Sequence, residues 1–487
     1  MLLLSIAPGT KLFFSSSARW RNYIRGKITV FLLNDKKKDT KRDVYWFFIR
    51  TFAATITFKS PNCMKRLTSS LLFLAFAATS ASAQQAIFDQ RNVTSPTLNA
   101  DGSVAFSLFA PAAQEVKVTG DFLPRQTIQT PMGSWEADGT ADLKRDDKGV
   151  WTFTTSGALD PELYMYKFVV DGVDVLDPSS IHRTRDVRTH MSNFIVTHEA
   201  GDRGDLYSAH NGVAHGDIHT LWYESPTLGT TRRMTVYTPA EYRKTKSSYP
   251  VLYLLHGMGG DETAWMELGR TAQILDNLIA TGKCNPMIVV MTNGHADNNA
   301  APGIDGPLTL VEGGLTDPAA APKRATPHLE PIAVAADKTA SFPESYADVT
   351  QFVEDNFRVK KGRDNTAICG LSMGGFHSFT ISQLFPERFG YVGLFSAAIT
   401  MMDRDKTYEV LTKKPEYKER LSALFVAKPH LYWIAIGKTD FLYEQNKDYR
   451  RWLDDQGFPY EYRETDGGHI WRNWRIYLTE FSQRLFK

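Results

Sequence analysis

The sequence predicts an antiparallel β-sandwich followed by a mostly parallel β-sheet flanked by helices. From about 86 to 200, short alternating apolar segments are separated by turn signals such as Asp171-Gly172, a spacing typical of sandwiches. From 214 onward, apolar runs of strand length alternate with helical stretches, which is typical of parallel sheets covered by helices. A Gly-x-Ser-x-Gly pentapeptide at 370–374 joins one such run to one such helix.

The composition allows two or three domains and divides the charge unevenly. The chain has 487 residues, of which 43% are hydrophobic and 12% aromatic, and a formal charge of +2. Residues 1–63 hold 12 Lys and Arg but three acidic residues, so nine net positive charges lie there. Without residues 1–83, which also include Lys65 and Arg66, the charge is near −9. We therefore expect no nucleic-acid partner.

Residues 64–83 have the organisation of a secretory signal peptide. Met64 is followed by two basic residues, an apolar run and Ala81-Ser82-Ala83, an A-x-A cleavage signal. Such a signal acts at an N-terminus, so we expect translation to begin at Met64, with 1–63 as upstream read-through. A genuine basic extension is the alternative. The apolar run is too short to span a membrane, so we expect a secreted or periplasmic bacterial protein without a membrane span.

The first predicted domain, 84–200, contains the segments FSLFAPAAQEVKVTGDF, GVWTFT and YMYKFVVDGVDVLDP, at 106–122, 149–154 and 164–178. In these segments it resembles the early-set, immunoglobulin-like modules of carbohydrate-binding family 48. The resemblance implies a module that either holds a glycan or braces a catalytic domain. We expect bracing, because no platform of sugar-stacking aromatic residues is evident.

A polar, Gly-containing segment, 201–213, is the predicted linker to the second domain, 214–487. An irregular stretch rich in Ala, Pro and Gly, 295–342, is long for a loop, so we expect it to form a wall of a substrate site or to be disordered. The predicted strands are MTVYTP, VLYLLHG, MIVVMTNG, TAICG, YVGLFSA, LYWIAIG and YEYRE, and the predicted helices are 262–281, 343–357, 374–384, 444–456 and 471–486.

Ser372, at the centre of the pentapeptide, is the candidate nucleophile. A strand, TAIC, precedes it and a helix beginning at Gly374 follows it. This is the context of a nucleophile turn, where glycines are needed because the backbone is strained and side chains would clash. A serine hydroxyl is a poor nucleophile unless a general base lies within hydrogen-bond reach.

The expected base is His469, which lies between the last predicted strand and the last helix. The expected acid is Asp440, directly after LYWIAIG; Asp466, on the same loop as His469, is the alternative. The order Ser372, Asp440, His469 is that of the α/β hydrolases. His256 and His377 are expected to be structural.

Two backbone N–H groups are the candidates for an oxyanion hole. One belongs to Met373, directly after the serine, and the other to Met258, in the loop LLHGMGG after an early strand. Trp265 and Trp471 are candidate substrate-binding residues, because aromatic faces stack on both sugars and aromatic acyl groups. The three cysteines show no spacing typical of a metal site.

The motifs LLHGMGGDETAW, GLSMGGF, GKTDFLY and GGHIWRNWR resemble those of esterase D-like α/β hydrolases, and more closely carbohydrate esterase family 1. The resemblance covers about 215–487 and implies a Ser372-Asp440-His469 triad without a cofactor or metal. It implies action on feruloylated or acetylated xylan and its oligosaccharides. We expect release of hydroxycinnamic acids such as ferulic acid, with acetyl xylan esterase activity as the alternative.

Three other functions are compatible with parts of this sequence pattern. An enterochelin-type siderophore esterase also joins an early-set module to this hydrolase fold, although the predicted signal peptide disfavours it. A carbohydrate-binding protein on an inactive scaffold is disfavoured by the complete Ser, Asp and His set. An acyltransferase shares the triad chemistry and stays open. The sequence does not indicate an oligomeric state.

Overall fold

The computed structural model describes residues 93–130, 133–187, 189–295, 342–400 and 406–487, with the backbone of two short strands near the N-terminus. The chain divides into two compact units, Met1–Asp89 and Gln90–Lys487. In the first unit, β1 (Leu2–Ser5) and β2 (Lys11–Phe14) form an antiparallel pair. The predicted signal peptide, 64–83, and most of the stretch 295–342 lie outside the described residues.

The second unit begins with an antiparallel sandwich, in agreement with the sequence pattern. One sheet has the order β3-β4-β10-β9, the other β13-β14-β11-β5-β8 with β12 beside β11, and β6 and β7 form a separate hairpin. Alternating side chains such as Phe106, Val118 and Phe168 fill the core between the sheets. The strands are β3 (Thr97–Leu98), β4 (Val104–Phe109), β5 (Val116–Gly120), β6 (Gln126–Thr130), β7 (Gly133–Ala137), β8 (Gly139–Asp142), β9 (Lys144–Arg145), β10 (Val150–Thr154), β11 (Glu162–Val170), β12 (Val173–Val175), β13 (Arg183–Asp186) and β14 (Thr189–Val196).

An eight-stranded sheet follows, in the order β15-β16-β18-β17-β19-β20-β21-β22. The strands from β18 to β22 pair in parallel, as the alternation of strands and helices predicts. β15 and β16 are antiparallel, as are all the described pairs of the first unit and of the sandwich. The strands are β15 (Asp217–Ser225), β16 (Thr230–Thr238), β17 (Val251–Leu255), β18 (Ile288–Thr292), β19 (Thr366–Leu371), β20 (Tyr391–Phe395), β21 (Leu431–Gly437) and β22 (Glu461–Thr465).

Helices cover both faces of this sheet. Alternate residues of β17 point to opposite faces: Leu252 and Leu254 pack with α2, α3 and α9, and Val251 and Tyr253 pack with α4, α5, α7 and α8. No helix in the described ranges is long and apolar enough to cross a membrane. The helices are α1 (Arg203–Leu206), α2 (Ala264–Glu267), α3 (Thr271–Ala280), α4 (Tyr346–Asn356), α5 (Met373–Leu384), α6 (Thr407–Lys413), α7 (Pro415–Val426), α8 (Tyr443–Gln456) and α9 (Trp471–Ser482), with 3₁₀ turns at Ala240–Arg243 and Arg363–Asn365.

Several elements differ from the sequence prediction. The single helix predicted over 262–281 is two helices: the first ends at Glu267, and Arg270, directly before the second, interrupts the helix with a left-handed conformation at φ of 55°. The edge strand β15 and the helices α6 and α7 were not predicted. α7 nevertheless carried a usable signal, because Tyr417, Leu421 and Leu424 have the i, i+4, i+7 spacing of one helix face.

The predicted linker, 201–213, is bonded to the second domain. It contains α1, and Tyr207 is 1% exposed. The side-chain amide of Asn277, on α3, donates to the carbonyl oxygens of Leu206 and Ser208, both at 2.9 Å. The guanidinium of Arg270 donates to the carbonyl oxygen of Tyr207 at 3.0 Å. These contacts fix the segment against α3.

A buried ion pair joins the sandwich to the helix α9. Glu162, at the start of β11, and Arg475, on α9, are both fully buried. Two nitrogens of the guanidinium lie 3.0 and 3.1 Å from Glu162 Oε1. Arg475 also donates to the carbonyl oxygens of Leu163 and Leu268, each at 2.9 Å. Glu162 Oε2 makes no hydrogen bond but lies 3.3 Å from Arg203 Nε, so the buried carboxylate is held mainly by Arg475 and links the two domains.

We expect Arg475→Met to lower the free energy of unfolding by about 3 to 5 kcal/mol, because it leaves a buried carboxylate without its main partner. Arg484→Met is the matched control, since its pair with Glu461 has 43% and 48% of its side chains exposed. We expect that substitution to cost less than about 1 kcal/mol. Urea denaturation measures both. Equal losses would contradict a special role for Arg475.

Candidate active site

Ser372 lies in a strained turn between β19 and α5. Its φ is 52° and its ψ is −112°, a combination that a residue with a side chain rarely adopts and that is typical of functional sites. Its N–H donates to the carbonyl oxygen of Phe395 at 2.9 Å, and its carbonyl oxygen accepts from the N–H of Ala398 at 3.1 Å. The end of the neighbouring strand β20 thus holds the turn.

The glycines around Ser372 allow the close packing that this turn needs. A side chain at Gly374 would place its Cβ 2.4 Å from the carbonyl oxygen of Leu255, and one at Gly370 would place it 2.5 Å from that of Gly374. Both distances are far below van der Waals contact, so the N-terminus of α5 reaches the sheet only because these positions are glycine. The sequence pattern predicts a nucleophile turn for the same reason, namely that side chains at these glycine positions would clash.

Asp440 and His469 face each other in direct hydrogen-bond contact. His469 Nδ1 lies 2.9 Å from Asp440 Oδ2 and 3.0 Å from Oδ1. Asp440 is 4% exposed and also accepts from the N–H of Leu442 at 2.9 Å. A carboxylate facing Nδ1 favours the tautomer with its proton there, which leaves Nε2 as the basic nitrogen. The alternative acid, Asp466, has 92% of its side chain exposed and pairs with Lys438 at 2.9 Å.

A short chain of contacts connects His469 to the Ser372 turn. The indole ring of Trp474 lies edge-on to the imidazole, with ring centroids 4.9 Å apart. Its N–H donates to the hydroxyl of Ser396 at 3.2 Å, and Ser396 directly follows Phe395, which binds the Ser372 N–H. The predicted base and nucleophile therefore lie on elements that pack against each other. Trp474 was not among the predicted site residues.

The loop after β17 lies beside the serine, as the predicted oxyanion hole requires. A Cβ at Gly257 would lie 3.4 Å from Ser372 Cβ, and Met258 follows that glycine. Met373 is the first residue of α5, where helical N–H groups have no acceptor within the helix. The N–H groups of Met258 and Met373 remain the candidates for stabilising an oxyanion.

Two buried histidines, His256 and His295, accept hydrogen bonds from backbone N–H groups at or next to this loop. His256 Nε2 accepts from the N–H of Gly294 at 2.8 Å, and His295 Nε2 accepts from the N–H of Gly259 at 3.1 Å. Burial lowers the pKa of His256 to about 4 and, reinforced by the neighbouring histidines, that of His377 to about 3. A neutral ring is what the bond accepted by His256 Nε2 requires, and this agrees with the structural role expected of that residue.

Two tryptophans, Trp265 and Trp471, are predicted to bind substrate, and both are largely buried in the structure. Trp265 is 1% exposed, its N–H donates to the carbonyl oxygen of Leu255 at 2.9 Å, and it lies in the core. This corrects the prediction of a substrate contact for Trp265, because a fully covered ring cannot stack on a ligand. Trp471, two residues after His469, is also buried at 6% exposure and packs edge-on against Trp265 and Trp474 in the same core, so its contact with substrate stays a prediction.

An exposed aromatic ring next to the candidate base was missed by the sequence analysis. Phe441 directly follows Asp440, is 49% exposed and lies 4.4 Å from the His469 ring between centroids. Its position in the sequence, directly after the predicted acid, could have indicated that Phe441 lies near the site. An exposed aromatic face beside the base is suited to contact an apolar part of a substrate.

Within the described ranges, no group of three or more His, Cys, Asp or Glu side chains is arranged to hold a metal ion. Cys284 and Cys369 are free, buried thiols, and burial raises the pKa of Cys284 to about 12. Cys63 lies outside the described residues.

Comparisons with known proteins match both parts of the chain. Residues 225–320 and 341–485 match the family model of the putative esterases. Residues 94–180 match the model of carbohydrate-binding module 48, the isoamylase N-terminal domain.

Two curated relatives and one solved structure are similar to this chain. An endo-1,4-beta-xylanase/feruloyl esterase of Xylanibacter ruminicola is 29% identical over 397 residues, which is 80% of this chain and 46% of that protein. An acetyl esterase of Caldicellulosiruptor saccharolyticus is 26% identical over 170 residues, 29% of this chain and 61% of that protein. This chain thus spans less than two thirds of either relative. The enterobactin esterase of Shigella flexneri has a TM-score of 0.50 at 15% identity, covering 78% of this chain and 92% of that one, and shows a shared fold.

The buried histidine His377 predicts a specific acid sensitivity. Its unfolded-state ring takes up a proton near pH 6.5, whereas the folded ring does so near pH 3. The unfolded state is therefore favoured as the pH falls through this window. Relative to His377→Gln, the wild-type free energy of unfolding should fall by about 1.4 kcal/mol per pH unit below pH 6.5.

Urea denaturation of both proteins at several values between pH 7.5 and 5 measures this difference. His182→Gln is the control, because that ring is exposed, and its difference from wild type should stay constant. A pH-independent difference for His377→Gln would refute the argument.

Proposed function

We propose that the chain, whose residues 225–320 and 341–485 match the putative-esterase model, is a secreted serine carboxylic-ester hydrolase which releases ferulic acid from plant cell-wall xylan. The observation that carries the mechanism is the Asp440–His469 pair beside the strained Ser372 turn. The proposal assigns the nucleophile to Ser372, the base to His469 and the orienting acid to Asp440.

In the acylation step, Ser372 Oγ attacks the ester carbonyl while its proton passes to Nε2 of His469. Asp440 stabilises the imidazolium that forms, because its carboxylate faces Nδ1. The carbonyl oxygen becomes negative and is stabilised by the N–H groups of Met258 and Met373. His469 then gives its proton to the departing sugar oxygen, and the acyl group stays on Ser372.

In the second step, water replaces the sugar. His469 takes a proton from the water, whose oxygen attacks the acyl-enzyme, and the free acid leaves as Ser372 recovers its proton. Each step combines a proton transfer with an acyl transfer, and both can be carried out by Ser372, His469 and Asp440 with water.

The aromatic acyl group and the xylan substrate are supported by the relatives and by the site. The Xylanibacter protein carries feruloyl esterase in its name, and the segments of this chain that match an esterase model include the triad. Exposed Phe441 beside the base is suited to contact an aromatic acid. The family 48 module is consistent with a carbohydrate substrate, and the predicted signal peptide at 64–83 supports secretion.

Acetyl esters are the second candidate substrate, supported by similarity to the Caldicellulosiruptor acetyl esterase. The enterobactin esterase shares the fold, and its substrate serves as a further arm of the assay below.

We expect Ser372→Ala to abolish hydrolysis, with kcat falling by roughly 10⁴-fold or more, because no other group can form the acyl-enzyme. The assay measures acid release from methyl ferulate, feruloylated arabinoxylan fragments, acetylated xylan and enterobactin, using protein that begins at Gln84. Ser378→Ala is the matched control, since that hydroxyl donates to the carbonyl oxygen of Gly374 on the same helix.

Ferulate release that depends on Ser372 would support the whole proposal. Acetate release alone would support the triad mechanism but identify acetyl esters, not feruloyl esters, as the substrate. Cleavage of enterobactin alone would identify a siderophore ester as the substrate. Activity that survives in Ser372→Ala would overturn the nucleophile.

We expect Asp440→Asn to lower kcat on methyl ferulate by roughly 10⁴-fold, because an amide no longer holds the required tautomer of His469. Asp466→Asn should stay within about twofold of wild type, because that carboxylate is solvated and pairs with Lys438. Steady-state kinetics with circular dichroism of both variants separates lost chemistry from lost fold. A larger loss of kcat in Asp466→Asn than in Asp440→Asn would instead identify Asp466 as the orienting acid.

A further inference from the structure

The loop that carries Met258 contains a tight turn. The N–H of Gly260 donates to the carbonyl oxygen of Gly257 at 3.1 Å, which closes a four-residue turn with Met258 and Gly259 at its centre. Gly259 has a φ of 78°, the value that a type II turn requires at its third residue and that glycine adopts without strain. The direction of the Met258 N–H therefore depends on this turn keeping its shape.

The β13–β14 hairpin of the sandwich packs directly on this turn. A Cβ at Gly259 would lie 2.6 Å from Val187 Cγ1, so the tip of the hairpin touches the residue after Met258. Val187 itself has a φ of 53°, a left-handed conformation that a β-branched residue strongly disfavours. Strain of this kind persists only where surrounding contacts hold it, and it is frequent at functional sites.

Arg185, on β13, joins the strained tip to the end of the turn. One nitrogen of its guanidinium, Nη1, donates to the carbonyl oxygen of Val187 at 2.7 Å, and Nη2 donates to Asp261 Oδ2. The side chain of Asp261 is fully buried, and its Oδ1 accepts from the N–H and the hydroxyl of Thr263 at 2.8 and 2.7 Å. Asp261 directly follows Gly260, so one planar guanidinium fixes the hairpin tip and the turn to each other.

We propose that Arg185 is a positioning residue of the ester-cleaving site, which holds the turn at 257–260 so that the Met258 N–H is aimed at the negative oxygen of the transition state. The inference rests on the proposed triad and oxyanion hole, and it adds to them a support from the other domain. Arg185 acts through Asp261 and Val187 and exchanges no proton in the reaction. An oxyanion donor acts after the carbonyl has been attacked, so a displaced turn lowers kcat and spares binding of the ester.

Arg185→Met in the otherwise unchanged protein tests this role. We expect kcat for methyl ferulate to fall roughly 10-fold, less than the roughly 10²- to 10³-fold that loss of a whole oxyanion donor costs. KM should stay within about twofold of wild type. Arg185→Lys retains the charge but lacks the planar fork that reaches two acceptors, so its loss of kcat should be smaller.

An inhibitor that resembles the transition state separates this role from a purely structural one. A trifluoromethyl ketone forms a tetrahedral oxyanion on Ser372, so its inhibition constant should rise in Arg185→Met by the factor by which kcat/KM falls. Methyl ferulate forms no oxyanion on the Ser372→Ala protein, so adding Arg185→Met to that protein should leave its Kd unchanged. Neither constant depends on the folded fraction, so a variant that merely folds less well keeps the wild-type values.

Arg183→Met is the matched control, because Arg183 is an exposed arginine two residues earlier on the same strand. Its kcat and its inhibition constant for the trifluoromethyl ketone should equal those of wild type. If the wild-type protein prefers an acetyl ester or enterobactin, the same comparison is made with that ester, so the choice of acyl group does not affect the test.

A parallel loss of kcat and of ketone affinity in Arg185→Met, smaller in Arg185→Lys and absent from Arg183→Met, would support the proposal. Unchanged ketone affinity in both Arg185 variants, an equal loss in Arg183→Met, or a rise in KM at constant kcat would overturn it. Failure of the triad is detected separately, as activity that survives in Ser372→Ala.

Discussion

The contact between the two domains of the second unit depends on the buried pair of Glu162 and Arg475. Two fully desolvated charges are costly unless each has a partner and further hydrogen bonds. Arg475 meets this requirement with three acceptors from two domains: Glu162 and Leu163 on β11, and Leu268 after α2. In this orientation all three nitrogens of the guanidinium have an acceptor, so moving the domains apart would leave a buried charge without partners.

This orientation also determines the surroundings of the candidate base. Arg475 lies on α9, which begins at Trp471, two residues after His469. Fixing α9 against β11 therefore places the hairpins of the sandwich over the loops that carry Asp440 and His469. The sequence analysis expected the module to brace the catalytic domain. The contacts of Val187 with Gly259 and of Glu136 with Thr439 indicate that it also borders the candidate site.

Within the catalytic domain, the site depends on strand ends that lie side by side. Ser372, Asp440 and His469 follow β19, β21 and β22, whose carboxyl ends share one edge of the sheet. This is the edge at which parallel sheets of this class bind ligands. Glycines at 370 and 374 let the turn and α5 approach the sheet closely enough for the serine to occupy that edge.

The sequence by itself determined the features that arise from local pattern. Alternation and apolar runs predict the sandwich and most strands of the large sheet. The chain order of Ser372, Asp440 and His469 predicts which residues meet, since Asp440 and not Asp466 contacts the histidine. Only the tertiary structure decided that Trp265 is buried and that Trp474 and Phe441 lie against His469. The reason is physical: burial and side-chain contact depend on how strands, helices and loops pack in three dimensions, and neither hydrophobic period nor motif spacing encodes that packing locally.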